Sequence, residues 1–470
     1  MDIQMGILTT KELDKIGYTD DRLKSLAINT VAKYYKHSDK ADVITLLTDV
    51  RNNPATYISN TNLQKIAGAF IKAVPAPDGN TFKLMGEPTP LKIYGVDEIE
   101  AAAKKQIQLA LSLPISIQGA LMPDAHSGYG LPIGGVLATR NAVIPYGVGM
   151  DIGCSMALTI IDADEKFIKR YEHQIKQSLG KWTHFGMEGE LTVPQDHEVL
   201  DSPLFGETHL LKKLHGKAVQ QLGTSGGGNH FVEFGTIELM EHNAKGLPAK
   251  TYLALLSHSG SRGLGANIAR YYTQVAMNTC KLPREAQPLA WLDLDTEAGQ
   301  EYWLSMTLAG DYAKACHDRI HINLLKALGL KALVRIKNHH NFAWKDKLAD
   351  DTEAIIHRKG ATPAHVGELG IIPGSMATPA YLVMGKGSTD ALNSASHGAG
   401  RAMSRQDAKA STTKSAMKKM LADAGVTLLD GSIEENPSAY KDIETVMKAQ
   451  AELVEIHGKF LPRIVRMNKE

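Results

Sequence analysis

The chain has 470 residues, 43% of them hydrophobic, with 52 Lys and Arg against 51 Asp and Glu for a formal net charge of +1. That length and apolar content suffice for a sizeable core, in one large domain or two modest ones. The balanced charge and an aromatic content of only 6% exclude a globally basic nucleic-acid binder and a broad base-stacking platform, and leave a local basic groove as the electrostatic route to RNA or DNA.

From the N-terminus, Met1–Thr10 carries no basic stretch leading into a long apolar run. No apolar run approaches membrane-spanning length, so the expectation is a soluble cytoplasmic protein without a signal peptide. Thr10–Tyr35 and Ala41–Ala73 carry apolar residues at mixed three and four spacing and are predicted helical. Asn52-Asn53-Pro54 breaks the second segment, and Pro75-Ala-Pro-Asp-Gly79 has the composition of a linker or turn. A helical extension over residues 1–80 is therefore expected before the rest of the chain, 82–470. Beyond Phe82, short β-rich runs (Gly135–Ala138, Met156–Ile161, Tyr252–Leu256 and Tyr381–Met384) sit beside glycine-rich loops. Longer helices are expected at Glu98–Leu113, Asn267–Thr279, Thr296–Ala327 and Asp442–His457. Strands and helices mixed without a βαβ period predict an α+β or mixed α/β core.

The 42 glycines cluster in loops that also hold His, Asp and Cys. The three cysteines, Cys154, Cys280 and Cys316, are too few for a disulfide framework and are available as thiolates. In Val148-Gly-Met-Asp-Ile-Gly-Cys154, Asp151 and Cys154 are spaced so that a carboxylate and a thiolate can turn toward one ion. His230 ends Gly226-Gly-Gly-Asn-His, His258 sits in Leu256-Ser-His-Ser-Gly-Ser-Arg-Gly263, and His340 lies in Asn338-His-His-Asn341. Each alone is more simply a satisfied histidine; together with Asp151 and Cys154 they predict a shared metal site. Imidazole, thiolate and carboxylate suit zinc, iron or manganese, and spacing does not choose among them.

Two further stretches are suited to phosphate. Ile372-Pro-Gly-Ser-Met376 offers a sharp turn with a hydroxyl. Ser394-Ala-Ser-His397-Gly-Ala-Gly-Arg401 places a histidine between small residues, where a phosphorus centre can approach. A helix beginning near Gly398 would point N–H donors at an anion, with Arg401 one turn along. A neutral imidazole can attack phosphorus and carry the group covalently. His357-Arg-Lys-Gly-Ala-Thr362 adds cations, of which Lys359 is the candidate for phosphate, as is Arg262 in the His258 loop. No P-loop string is present.

These strings, together with Met122-Pro-Asp-Ala-His126-Ser-Gly-Tyr-Gly130-Leu-Pro-Ile-Gly-Gly135, occur in an order that resembles the RtcB RNA-ligase family over residues 82–469. The resemblance implies an α+β fold around a central metal and GTP cleft. It implies two Mn²⁺ ions on Asp151, Cys154, His230, His258 and His340, with Cys154 bridging. It implies GMP carried on His397, and guanylate contacts from Asn229, Glu233, Ser375, Arg401 and Lys469 and from the backbone of Gly398 and Ala399. The implied reaction joins an RNA 3′-phosphate or 2′,3′-cyclic phosphate to a 5′-hydroxyl, in RNA repair or tRNA splicing, with archease as a possible activating partner.

Three departures stand out. Ala380 replaces a serine of the family pattern, Tyr312-Ala-Lys-Ala-Cys-His317 replaces a helix carrying an Asn-Arg pair, and Ala125 replaces a valine. They suggest a divergent paralogue, for which capping of RNA 3′ ends without joining, or RNA-end binding without catalysis, are the alternative activities.

Overall fold

A computed structural model of the chain describes residues 8–36, 38–70, 81–186, 189–191 and 193–469. The linker expected at Pro75–Gly79 lies outside the described residues. Up to residue 70 the chain is helical: Thr10–Lys15, Asp21–Tyr34, Lys40–Asn52, Pro54–Tyr57 and Gln64–Phe70. Side-chain caps start the first three, from Thr9, Asp20 and Asp39, as expected where the first N–H groups lack partners. Leu13, Leu47 and Ile66 are fully buried and belong to the same apolar cluster as Leu211 and Tyr312 of the body. The contact is closed at its rim by Lys213 Nζ donating to Thr56 Oγ1 at 2.7 Å.

The body is built on two sheets. One has five strands in the order Leu91–Ile93, Ser116–His126, Ile133–Thr139, Glu353–Lys359, Asn341–Lys347. The other runs Leu369–Pro373, Ala380–Gly385, Val454–Met467, Phe231–Leu239, Thr251–Ser259, Ser155–Ile161, Ala332–His339, with Thr427–Leu428 added beside Val454–Met467. The four expected β-rich runs all fall within these strands. Mixed helix and sheet content of this kind is the α+β class expected. Among the described residues no helix is long and apolar enough to cross a membrane.

Ser155–Ile161 is buried at every position, which is why it reads as a continuous apolar run rather than an alternating one. Its even residues, Met156, Leu158 and Ile160, pack with Ala254 and Leu256 on one face. On the other face Ile161, Leu253 and Leu255 meet Ile320 and Leu324 of the helix Glu297–Leu328. The segment Asp442–His457, expected as one helix, is instead a helix at Ile443–Ala449 followed by the strand Val454–Met467. That strand pairs on both sides, so ladder bonds from its neighbours override the helix-forming residues near the break.

The long helix also locates Cys316 and His317. Both are fully buried, on the helix side of the sheet. His317 Nε2 lies 3.1 Å from the Ser155 carbonyl, and its Nδ1 lies 2.6 Å from Ser257 Oγ. Ser257 in turn meets His321 Nε2 at 2.7 Å, and His321 Nδ1 meets Thr159 Oγ1 at 2.7 Å. Burial holds the His317 ring down to about 3, so it is neutral and serves one donor and one acceptor. His317 thus ties the helix to the sheet from beneath. The expected outcome of His317→Leu is a loss of about 1–3 kcal/mol, the cost of a buried polar group left without its partner, measured by urea denaturation.

Candidate metal and phosphate site

The ligand cluster follows from strand register. Ser155 lies opposite both Ser259 and His339, and His258 lies opposite both Met156 and Phe231. Cys154, His230, His258 and His340 therefore fall side by side at one end of the same sheet. Cys154 Sγ is 3.1 Å from His258 Nε2 and 3.4 Å from His230 Nε2. His258 Nε2 is 3.2 Å from His340 Nε2, and His230 Nε2 is 3.1 Å from Asp151 Oδ2. The donor atoms form two triads, Cys154–His258–His340 and Asp151–Cys154–His230, each within 4.8 Å, with the thiol common to both. Asn341 secures the approach: its Nδ2 donates to the Asp151 carbonyl at 3.3 Å, and its Oδ1 accepts from Gly360 N at 2.8 Å.

The donor chemistry fits cations. His258 Nδ1–H donates to the Asn229 carbonyl at 3.2 Å, which leaves the lone pair on Nε2 facing the cluster. Burial, then the neighbouring imidazoles, holds His258 and His340 well below the ordinary histidine range. Both rings are neutral, with lone pairs to offer. Burial and the Asp151 carboxylate push the Cys154 thiol well up. A thiolate there needs positive charge beside it, which a shared cation would supply. The His242, Glu455 and His457 group behaves differently. His457 Nδ1 accepts from Ala244 N at 2.9 Å, so its Nδ1 lone pair is taken and the ring proton lies on Nε2, where a metal would have to bind.

His397 follows the short strand Ser394–Ser396, which pairs with Ala361–Pro363. Its Nδ1–H donates to Asp124 Oδ2 at 2.6 Å, and the amides of His397 and Gly398 reach the same oxygen at 3.0 and 3.3 Å. Asp124 is fully buried. Burial opposes its ionisation, but His397 outweighs this and holds it below the usual carboxylate range. The pairing orients the ring and leaves Nε2 open. The ring centroid lies 5.2 Å from that of His340. Gly360, at φ +62°, makes this possible: a Cβ there would lie 2.4 Å from Ile133 Cγ2 and 3.2 Å from His397 Cε1.

One cavity of about 690 Å³ gathers Asp151, Cys154, Asn229, His230, Glu233, His258, His340, Lys359, Ser375, His397, Gly398, Ala399 and Arg401. Lys359 is buried, which brings its amine down to about 7, and it donates to the carbonyls of Tyr129 and Tyr146. Burial alone raises Glu233 well above the carboxylate range, so it presents a carboxylic acid O–H. Ser375 Oγ lies 2.9 Å from Thr378 Oγ1, beside Ala380, so a hydroxyl remains in this wall.

Several expectations need correcting. No helix starts near Gly398; the next begins at Arg405, capped by Ser404. The amides of Gly398 and Ala399 are already bonded, to Asp124 Oδ2 and to the Pro373 carbonyl at 2.9 Å. Arg401 lines the cavity, but its guanidinium is engaged by Glu435 Oε2 at 2.9 Å and by the Glu434 and Met403 carbonyls. Arg262 lies outside the lining and donates to Thr224 Oγ1 at 2.9 Å and to the Gly186 carbonyl. Lys469 is also outside it, paired with Asp430 Oδ1 at 3.0 Å.

Sequence reasoning gave no role to Asp124, although it lies two residues before His126 in the Met122–Gly135 string. The signal missing was its partner, 273 residues away. Because Glu435 is fully buried, Arg401→Ala should destabilise the protein by about 1.5–3 kcal/mol, the range for a hydrogen bond to a charged group. Chemical denaturation is the check, and a smaller shift would mean that Arg405 and Tyr440 satisfy Glu435 unaided.

Comparison with known proteins gives the family. Residues 106–468 match the family model described as tRNA-splicing ligase RtcB. The chain is 33% identical over 414 residues to an Escherichia coli protein named RNA-splicing ligase RtcB1, covering 79% of this chain and 96% of the relative. It is 29% identical over 441 residues to the tRNA-splicing ligase RtcB of Nanoarchaeum equitans, covering 77% and 92%. It is 30% identical over 393 residues to the RNA-splicing ligase RtcB of Mycobacterium bovis, covering 70% and 91%. The chain belongs to the RtcB family of RNA-splicing ligases.

Proposed function

We propose that this RNA ligase is GTP- and Mn²⁺-dependent and joins an RNA 3′-phosphate or 2′,3′-cyclic phosphate to a 5′-hydroxyl through guanylylated His397. The observation that carries the reading is the placement of His397. Its Nδ1 is committed to buried Asp124, its Nε2 is open, and its ring lies 5.2 Å from that of His340 in the ligand cluster. A nucleophile oriented by a carboxylate beside a cation site is the arrangement that covalent nucleotidyl transfer requires.

Asp151, Cys154, His230, His258 and His340 would hold two Mn²⁺ ions, with Cys154 shared. When bound, the ions supply Lewis-acid neutralisation of the phosphate oxygens. His397 Nε2 attacks the α-phosphorus of GTP, the bond to the β-phosphate oxygen breaks, and pyrophosphate leaves. Asp124 keeps the Nδ1 proton and stabilises the positive ring as the P–N bond forms. An RNA 3′-phosphate oxygen, released first by hydrolysis where the end is cyclic, then attacks the same phosphorus and frees His397. The RNA 5′-hydroxyl attacks the activated 3′-phosphate, loses its proton to solvent, and expels GMP. Asn229, Glu233 and Ser375 line the wall where the guanylate would sit, and Lys359 brings a buried amine toward the RNA phosphate. Archease is the partner proposed for activation.

With Mn²⁺ and α-labelled GTP, label should stay on the denatured protein and vanish in His397→Ala. Label persisting in that variant would exclude His397 as the carrier. Asp124→Asn should slow labelling about 10²-fold, the cost of a misoriented reacting atom. Cys154→Ala should lose more bound metal than any single histidine variant, since it removes a ligand from both triads. Metal analysis by mass spectrometry reads this, and full occupancy would rule out bridging. Joining of a 3′-phosphate RNA to a 5′-hydroxyl RNA tests the overall reaction.

A further inference from the structure

The loop Ser127–Gly130 forms part of the cavity's edge. Its backbone is held from three directions. Glu100 accepts from Ser127 N, Gln106 Oε1 accepts from Gly128 N at 3.0 Å while Gln106 Nε2 donates to the Gly128 carbonyl at 2.5 Å, and Lys359 Nζ donates to the Tyr129 carbonyl. Yet Tyr129 is 79% exposed. A single exposed tyrosine is ordinary. A bare ring on a clamped backbone at the rim of a reaction cavity is a different matter. Three aromatic rings are strongly exposed among the described residues, Tyr34, Phe82 and Tyr129, and only Tyr129 borders the cavity.

We propose that Tyr129 is a stacking platform for a nucleobase at the RNA end being joined. The inference rests on the reading of the cavity as an RNA-ligase site. An aromatic face accepts any base, and a preorganised backbone lets stacking proceed without ordering the loop first. The position favours RNA over the guanine of GTP. Asn229, Glu233 and Ser375 stand on or beside strands of the larger sheet, whereas Tyr129 joins two strands of the five-stranded sheet, Ser116–His126 and Ile133–Thr139. The two sets belong to different sheets facing one cavity. The remaining contact of this loop is Lys359, whose strand lies in the same five-stranded sheet.

The test compares unaltered protein with Tyr129→Ala and Tyr129→Trp. The substrates are RNA ends intact or abasic at the terminal nucleotide of the 3′-phosphate strand or of the 5′-hydroxyl strand. Tyr129→Ala should raise the KM for RNA about tenfold or more, within the range for loss of one base–aromatic stack, and Tyr129→Trp should restore it. An abasic nucleotide at the stacked end should cost the unaltered protein the same factor and cost Tyr129→Ala nothing more; the arm that shows this identifies the strand. The KM for GTP in His397 labelling should not move. An unchanged RNA KM, losses that multiply in both abasic arms, or a raised KM for GTP would overturn the proposal. If the unaltered protein takes the GTP label but does not join RNA, the joining reaction fails independently, and affinity for the same RNA ends by fluorescence anisotropy replaces KM as the readout.

Discussion

Everything at the site depends on strand register. Side chains alternate faces with a period of two, so a slip of one residue reverses a strand. Here the pairings of Ser155 with Ser259 and His339, and of His258 with Phe231, align the ends of neighbouring strands. A one-residue slip of Thr251–Ser259 would turn His258 toward the long helix and bring Ser257 into the cluster. The polar chain on the opposite face, from Ser155 through His317, Ser257 and His321 to Thr159, can close only in the native register. One face thereby specifies the geometry of the other. Such a chain is worth most when every member is satisfied.

The same sheet explains why two of the imidazoles in the cluster, His258 and His340, are held neutral. His258 and His340 are buried with their lone pairs convergent, an arrangement that repels unless a cation or a proton lies between. Carboxylates nearby have partners at fixed distances: Asp124 is bonded to the His397 ring, and Glu435 to Arg401. Lys359, with two carbonyls as its hydrogen-bonding partners, is less firmly held in its charged form. The cavity thus combines preset hydrogen bonds with one amine whose charge responds to what binds beside it.

That Asp151, Cys154, His230, His258, His340 and His397 converge on one cavity was legible because each sits in a short string whose residue types have few other uses in combination. The sequence also disclosed strands that are largely apolar and buried at every position, such as Ser155–Ile161. Asp124 was not legible, since its meaning comes from a pairing across 273 residues. Arg401, expected as a phosphate contact, pairs instead with Glu434 and Glu435, which come from a segment without a motif. The helix expected through Asp442–His457 failed at Gln450, where pairing with two neighbouring strands decided the outcome. His317 stands where the family pattern has an Asn-Arg pair, and tertiary packing makes it an internal tie between helix and sheet. Local strings report chemistry well and report partners poorly.

The strand Val454–Met467 occupies the interior of the larger sheet, between Ala380–Gly385 and Phe231–Leu239. During synthesis, the four strands Ser155–Ile161, Phe231–Leu239, Thr251–Ser259 and Ala332–His339 on one side, and the hairpin Leu369–Gly385 on the other, emerge well before the element that joins them. Until residue 467 clears the ribosome, Phe231–Leu239 and Ala380–Gly385 each present an unpaired edge, which invites contact with other nascent chains. The helices before residue 70, with local contacts, can form early. The cluster strands can pair early too, and Asn338 Oδ1 accepts from Ile371 N at 3.0 Å, but the wall carrying Ser375 gains its other flank only when Val454–Met467 is inserted. The cavity is therefore completed late, as the closing event of the fold rather than its nucleus.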